Sequence, residues 1–183
     1  MDRTERRTPR LLLSPPRMTD LPCLLELADD PYLGQMTLNI PHPYTEESAI
    51  FWLNLANQGW QSGDKCIFAI RAPETELFLG GIGLHVNKTH RRGELGYWIG
   101  APYRGQGFVT EAAAELIHFG FAELDLLRIQ ATHLKENPAS GKVMTKNGMQ
   151  FEGTLEDYYI KVGKSQTVRQ YRILRREWED YQK

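Results

Sequence analysis

One segment holds most of the chain's chemistry, Leu95-Gly96-Tyr97-Trp98-Ile99-Gly100-Ala101-Pro102-Tyr103-Arg104-Gly105-Gln106-Gly107-Phe108-Val109-Thr110-Glu111-Ala112. A strand pattern runs into a turn with Arg104, Gly105 and Gly107, and a helical pattern starts there. The first N–H groups of a helix have no partner within it, and the macrodipole adds positive potential. Glycines clear side chains from those amides, so they can close around a phosphate. Arg104 adds a cation at the rim. These residues suit a pyrophosphate-type anion site. A tight strand-to-helix turn that needs glycine only for its backbone is the other reading. The segment lacks a Walker lysine followed by Ser/Thr, and Thr110 stands where a dinucleotide GxGxxG needs its third glycine.

Other reactive residue types are arranged less productively. His42, His85, His90, His118 and His133 show no HExxH or paired ligand spacing, so no metal site is expected. Cys23 and Cys66 lack a CxxC partner, lie among apolar residues and read as reduced core thiols. Arg91, Arg92, Arg169, Arg172, Arg175 and Arg176 read as solvated faces.

The elements around the turn follow from periodicity. Residues 1–8 read as a flexible tail, and Arg10–Ser14 as a short strand stopped by Pro15 and Pro16. Thr19 or Asp20 caps a helix through Ala28, and a proline-rich and aromatic loop spans Pro31 to Tyr44. Thr45 opens a second helix, with Glu46 and Glu47 in its first turn. Three strands, Cys66–Arg71, Phe78–Val86 and Glu94–Gly100, suggest an antiparallel meander. A helix follows over Gly107 to Leu124, then a strand over Leu127–Thr132 and a helix over Asn137–Lys146. Strands beginning at Phe151 and spanning Val168–Leu174 close the chain. The pattern predicts an α/β or α+β sheet of mixed direction.

The 183 residues suit a single domain over 1–183 with a real core. Charged residues at 25% and hydrophobic residues at 41% argue against a disordered chain. A net charge of −1 gives no bulk attraction to nucleic acid or anionic membrane. The only early apolar run is Leu11–Leu13, against roughly 7–15 residues for a signal peptide, so a soluble, cytoplasmic protein is expected.

The segment RGQGFVTEA resembles the pyrophosphate-binding motif of the GNAT acetyltransferase superfamily, with Val109 in place of the usual final Gly/Ala. A second block, from Glu136-Asn137-Pro138-Ala139-Ser140 through Lys146-Asn147-Gly148-Met149 to Glu152-Gly153, is similar to that family's Asn-x-x-Ser helix and following strand. PRLLLSPPRMTD, IPHPYTEESAIFWL and Arg169–Trp178 resemble the RimJ/RimL branch, which acetylates N-terminal amines of ribosomal proteins. The resemblance runs from about Thr8 to Trp178. It implies the GNAT fold, a mostly antiparallel mixed sheet flanked by helices.

The resemblance also implies direct transfer of acetyl from acetyl-CoA to a primary amine, with no metal. Arg104, Gly105, Gln106, Gly107, Phe108 and Val109 would hold the coenzyme's phosphates, and backbone near Trp98 and Ile99 its thioester carbonyl. Asn137 would cap its helix and touch the pantetheine arm, and Ser140 would protonate the departing sulfur. Glu94 would take the amine's proton. A neutral amine at pH 7 costs about 1.2 kcal/mol for an α-amine and about 4.6 for lysine, so a weak amine suits a water-relayed base. Tyr32, Met36, His42 and Tyr44, with Tyr159 on the rim, would line the acceptor groove. The expected acceptor is a protein N-terminus, the alternatives a polyamine, amino acid or antibiotic, or an acetyl-CoA-binding module without turnover. No nucleic-acid or membrane partner is expected, and a monomer or homodimer is.

Overall fold

One sheet carries the whole site. In the computed structural model, which describes residues 4–181, eight strands form it. They are β1 (Arg6–Arg7), β2 (Leu12–Ser14), β3 (Lys65–Arg71), β4 (Phe78–Asn87), β5 (Arg92–Ile99), β6 (Arg128–Leu134), β7 (Gln150–Lys161) and β8 (Lys164–Leu174). Their order is β1-β2-β3-β4-β5-β6-β8-β7. Every neighbouring pair is antiparallel except β5 and β6. This is the mixed, mostly antiparallel sheet expected.

The parallel pair matters most. β5 and β6 are in register only from Arg92↔Arg128 to Glu94↔Gln130. Beyond that point β5 runs on to Ile99 and β6 to Leu134 without pairing, so the sheet splits into a V. Backbone groups on the inner edges of the V have no strand partner and must find another.

Helices cover both faces. On one side lie α1 (Leu21–Ala28), α2 (Pro31–Met36) and α3 (Glu46–Ser62), packed around Leu24, Leu33, Tyr44, Leu53, Phe78 and Trp98. On the other, α4 (Phe108–Ala122), α5 (Pro138–Lys146) and α6 (Arg175–Tyr181) cover the larger core, which includes Phe68, Leu84, Leu116, Phe121 and Ile129. β5 alternates between the two, with Leu95, Tyr97 and Ile99 toward α4 and Trp98 toward α3. Thr45 caps α3 by accepting from the Ser48 amide at 3.2 Å, as its sequence suggests. Among the described residues, no helix is long and apolar enough to cross a membrane.

Four features depart from the sequence reading. Arg6 and Arg7, expected in a tail, pair with β2, and Arg6 binds Glu115 and Glu123 on α4; residues 1–3 lie outside the described residues. Asp20 is the N-cap residue of α1, one of the two expected, but its side chain makes no cap hydrogen bond to that helix. Buried instead, it forms a two-pronged pair with Arg71 at 2.6 and 2.8 Å, and Arg71 also donates to Ser14. The loop from Pro31 holds α2, a helix too short to leave a periodic signal. α6 was also not anticipated.

Candidate active site

The turn before α4 has the form its glycines suggest. Gly105 and Gly107 have φ of 73° and 81°, left-handed values that favour glycine. Gly107 is the N-cap of α4, and no side chain caps it. The first amides of α4 therefore have no partner within the helix, and Gly107, Phe108, Val109 and Thr110 all line one large cleft. Arg104 lines it too, but its guanidinium pairs with Asp30 and sits 4.6 Å from the Tyr32 ring centre. Burial works against the Asp30 charge, yet hydrogen bonds from Arg104 and the Tyr32 amide hold its carboxyl below the ordinary range. Gln106 departs from expectation. It does not line the cleft; its side chain turns back to the Pro102 carbonyl, and its own carbonyl accepts from Arg10. Arg10, which also pairs with Glu111, is a cation beside the turn that sequence reasoning missed.

The arms of the V bring β5 and the start of α5 together. Asn137 caps α5, its Oδ1 accepting from the Ser140 amide at 3.2 Å, while its Nδ2 donates to the Met36 carbonyl at 3.0 Å. Ser140 is not alone. The Tyr97 hydroxyl lies 3.0 Å from both its carbonyl oxygen and its Oγ. Burial pushes the Tyr97 phenol above its ordinary value, with the Ser140 hydrogen bond opposing, so it stays protonated. Tyr97 was the missed partner. Its only sequence signal is that it shares the α4-facing parity of β5 with Leu95 and Ile99.

On the α3 face the floor of the cleft is bare. Gly83 and Gly96 are opposite one another on β4 and β5, and a Cβ on Gly96 would meet nothing within 4 Å. Glu94 stands next along β5, level with His85 on β4 and Gln130 on β6. Burial and the Lys65 charge lower the His85 pKa, with Glu94 opposing, which favours a neutral imidazole. Tyr159 reaches this row from β7. The β7–β8 register slips between Leu155 and Tyr159, a bulge of the kind that re-aims a side chain. Burial, with help from Glu94 and Tyr158, raises the Tyr159 pKa, and Thr132 opposes the shift. Tyr44 is buried, its phenol pushed up to about 12 by that burial.

All these parts face a single cleft of about 1230 Å³. It brings together Glu94, Trp98, Ile99, Arg104, Gly105, Gly107, Phe108, Val109, Asn137, Ser140, Tyr32, Met36, Tyr44 and Tyr159, but not Gln106 or His42. His42 instead faces Asp29 at 3.1 Å. Its charges are segregated. Arg104, Lys142 and Lys146 come from the α4–α5 side, while Glu47 and Glu94 come from α3 and the α3 face of β5. Among the described residues there is no cluster of three or more metal-ligating side chains. Cys66 is buried, which pushes its thiol up to about 11.

Residues 10–150 match the family model described as the acetyltransferase (GNAT) domain. The chain belongs to the GNAT acetyltransferase family. It is 32% identical over 173 residues to the uncharacterized N-acetyltransferase p20 of Bacillus licheniformis, covering 93% of this chain and 96% of that one. It is 35% identical over 71 residues, 39% of this chain and 38% of that one, to the ribosomal-protein-serine acetyltransferase of Escherichia coli. The RimJ structure from Mycobacterium smegmatis, in complex with CoA-disulfide, superimposes with a TM-score of 0.82 at 23% identity. That match covers 91% of this chain and 83% of that one, and it is a likeness of fold.

By its family this GNAT chain is an N-acetyltransferase that uses acetyl-CoA as co-substrate. Its residues fit that ligand: bare amides at the start of α4 and the positive-φ glycines make a cradle for linked phosphates. Acetyl-CoA supplies the acetyl group as a thioester.

Proposed function

We propose that this enzyme acetylates the N-terminal α-amine of a protein, with a ribosomal protein the first choice. The observation that carries the reading is the cleft's segregated charge. Cations and bare amides on the α4–α5 side suit an anionic coenzyme, and two carboxylates on the α3 side suit a cationic amine. The glycine floor beside Glu94 leaves room for a chain terminus. The name of the Escherichia coli relative, a ribosomal-protein-serine acetyltransferase, points to the same acceptor class.

In this reading the α4 amides, from Gly107 to Thr110, bind the coenzyme's phosphates, with Gly105 allowing close approach. The unpaired edge of β5 near Trp98 and Ile99 donates to the thioester carbonyl, where negative charge grows during attack. Glu94 receives the amine's proton, directly or through water. Ser140, backed by Tyr97, donates to the departing sulfur. Both hydroxyls hold their protons more tightly than a thiol near pKa ~8.5, so their role is to stabilise charge on sulfur by hydrogen bonding rather than to give up a proton outright. Tyr32, Met36 and Tyr44 form the acceptor wall, and Tyr159 its rim.

The test is incubation with acetyl-CoA and separate panels of free-amine peptides and small amines, following thiol release. Release with peptides alone, with the acetyl mapped to the first residue, is expected. Release with polyamines, amino acids or antibiotics alone would replace the acceptor. Binding of acetyl-CoA with no release in any panel would leave a non-catalytic module.

A further inference from the structure

Tyr32, Leu33, Met36 and Thr37 of the α2 segment wall the cleft, yet α2 has six residues. A helix that short does not persist by its own hydrogen bonds. Only Leu33 of the helix is buried. Polar ties from distant parts of the chain hold the rest.

At the start of α2, Asp30 accepts from the Tyr32 amide at 2.8 Å and pairs with Arg104 of the phosphate turn. At its end, the Lys161 ammonium donates to the carbonyls of Gly34, Gln35 (3.1 Å) and Thr37, and Asn137 takes the Met36 carbonyl. Four consecutive carbonyls, the kind a helix end leaves unpartnered, are thereby satisfied by side chains more than 100 residues away in sequence. Lys161 has three donors, and all three are used on backbone oxygen. No carboxylate pairs with it among the described residues. Burial lowers its pKa, as an ammonium half-withdrawn from water requires.

We infer that Lys161 is a positioning residue for the amine acceptor. From the β7 end of the β7–β8 hairpin it fixes α2, and with it Tyr32 and Met36, over the acceptor end of the cleft. Arg104 and Asn137 tie the same helix to the coenzyme side, so α2 bridges the two substrates. The inference rests on the reading above in one respect, that Tyr32 and Met36 touch the acceptor.

The test compares Lys161→Met, which keeps the aliphatic stem, with Lys161→Arg, which keeps the charge. Probes are a serine-initiated dodecapeptide and, in a parallel arm, spermidine. In Lys161→Met, KM for whichever probe the wild type acetylates should rise roughly tenfold, with kcat within about threefold and acetyl-CoA Kd within about twofold. Lys161→Arg should recover most of the loss. Backbone amides over residues 33–37 should exchange with deuterium roughly tenfold faster in Lys161→Met, with the β3–β5 amides unchanged. A KM unmoved from wild type, or a Kd for acetyl-CoA that weakens as much as KM rises, overturns the inference. If the wild type acetylates neither probe, the acceptor reading fails, and the exchange data alone decide the clasp: unchanged exchange over 33–37 sinks it.

Discussion

The Tyr97 hydroxyl sits 3.0 Å from the Ser140 hydroxyl, joining the free arm of β5 to the first turn of α5 across the open V. The same phenol donates to the Ser140 carbonyl, so it fixes both the serine and the helix end that carries it. Ser140 is held at one side by this contact and at the other by Asn137, whose Oδ1 takes its amide. With the phenol's one proton on the Ser140 carbonyl, Ser140 Oγ donates to the Tyr97 oxygen at rest, and to act on a sulfur it must turn its proton away while its oxygen stays in place.

Ser140→Ala should lower kcat by roughly tenfold to a hundredfold with little change in acetyl-CoA affinity, since in the proposed mechanism the lost donor acts on charge that develops in the reaction. Tyr97→Phe should cost less, because Ser140 keeps its own proton. Steady-state rates with calorimetric Kd values check both; wild-type turnover in Ser140→Ala removes it from the reaction. Burial holds the Tyr97 phenol above its ordinary pKa. Its protonated form therefore persists past pH ~10, and the rate should show no descending limb from this group below that pH.

Glu94→Gln keeps shape and hydrogen bonding but cannot accept a proton. A fall in kcat/KM of roughly a hundredfold is expected, with acetyl-CoA binding preserved. An unaltered pH–rate profile in this variant would leave the amine's proton to solvent alone.

Gly107→Ala puts a side chain at φ 81°, and its Cβ would lie 3.4 Å from the Arg10 guanidinium. The left-handed conformation costs about 1–2 kcal/mol, and the methyl crowds the bare amides. Titration calorimetry should read an acetyl-CoA Kd raised about tenfold or more, with the amine KM much less affected.

The buried Asp20–Arg71 pair, held by Ser14 and the Arg17 amide, ties β2 and the start of α1 to β3. Asp20→Ala strands a guanidinium that is 2% exposed. A loss of about 3–5 kcal/mol is expected in urea melts. Cleft chemistry per folded molecule should be unchanged.

Glu152 gives a pH signature. Its hydrogen bond and ion pair with Arg128 depress its pKa to about 2, so its contribution is present above the ordinary carboxylate range near ~4.3 and lost as pH falls toward about 2. Because its side chain is 36% exposed, solvent screens the pair to less than ~1 kcal/mol. Glu152→Gln should be slightly less stable than wild type at pH 7, and that gap should close by pH ~2.

Local sequence determined the elements whose signals lie within one or two turns of chain. Gly105 and Gly107 predicted a bare helix start because only glycine tolerates that backbone at low cost, and Thr45 and Asn137 marked two helix starts by their capping oxygens. The three central strands followed from apolar runs broken at Pro73 and at the polar Asn87–His90 segment, although Arg92 and Gly93, which also read as a break, are the first residues of β5. Tertiary structure alone decided which of these residues meet. Tyr97 and Ser140 are 43 positions apart, Lys161 and Gly34 are 127 apart, and no periodicity along the chain records either contact. It also turned Arg104 toward Asp30 and Gln106 away from the cleft, because a long polar side chain goes to the strongest partner within reach. Capping and turn preferences act over a few bonds and can be read in order along the chain. A contact between distant strands depends on where the sheet splits, and that follows only when the whole chain has packed.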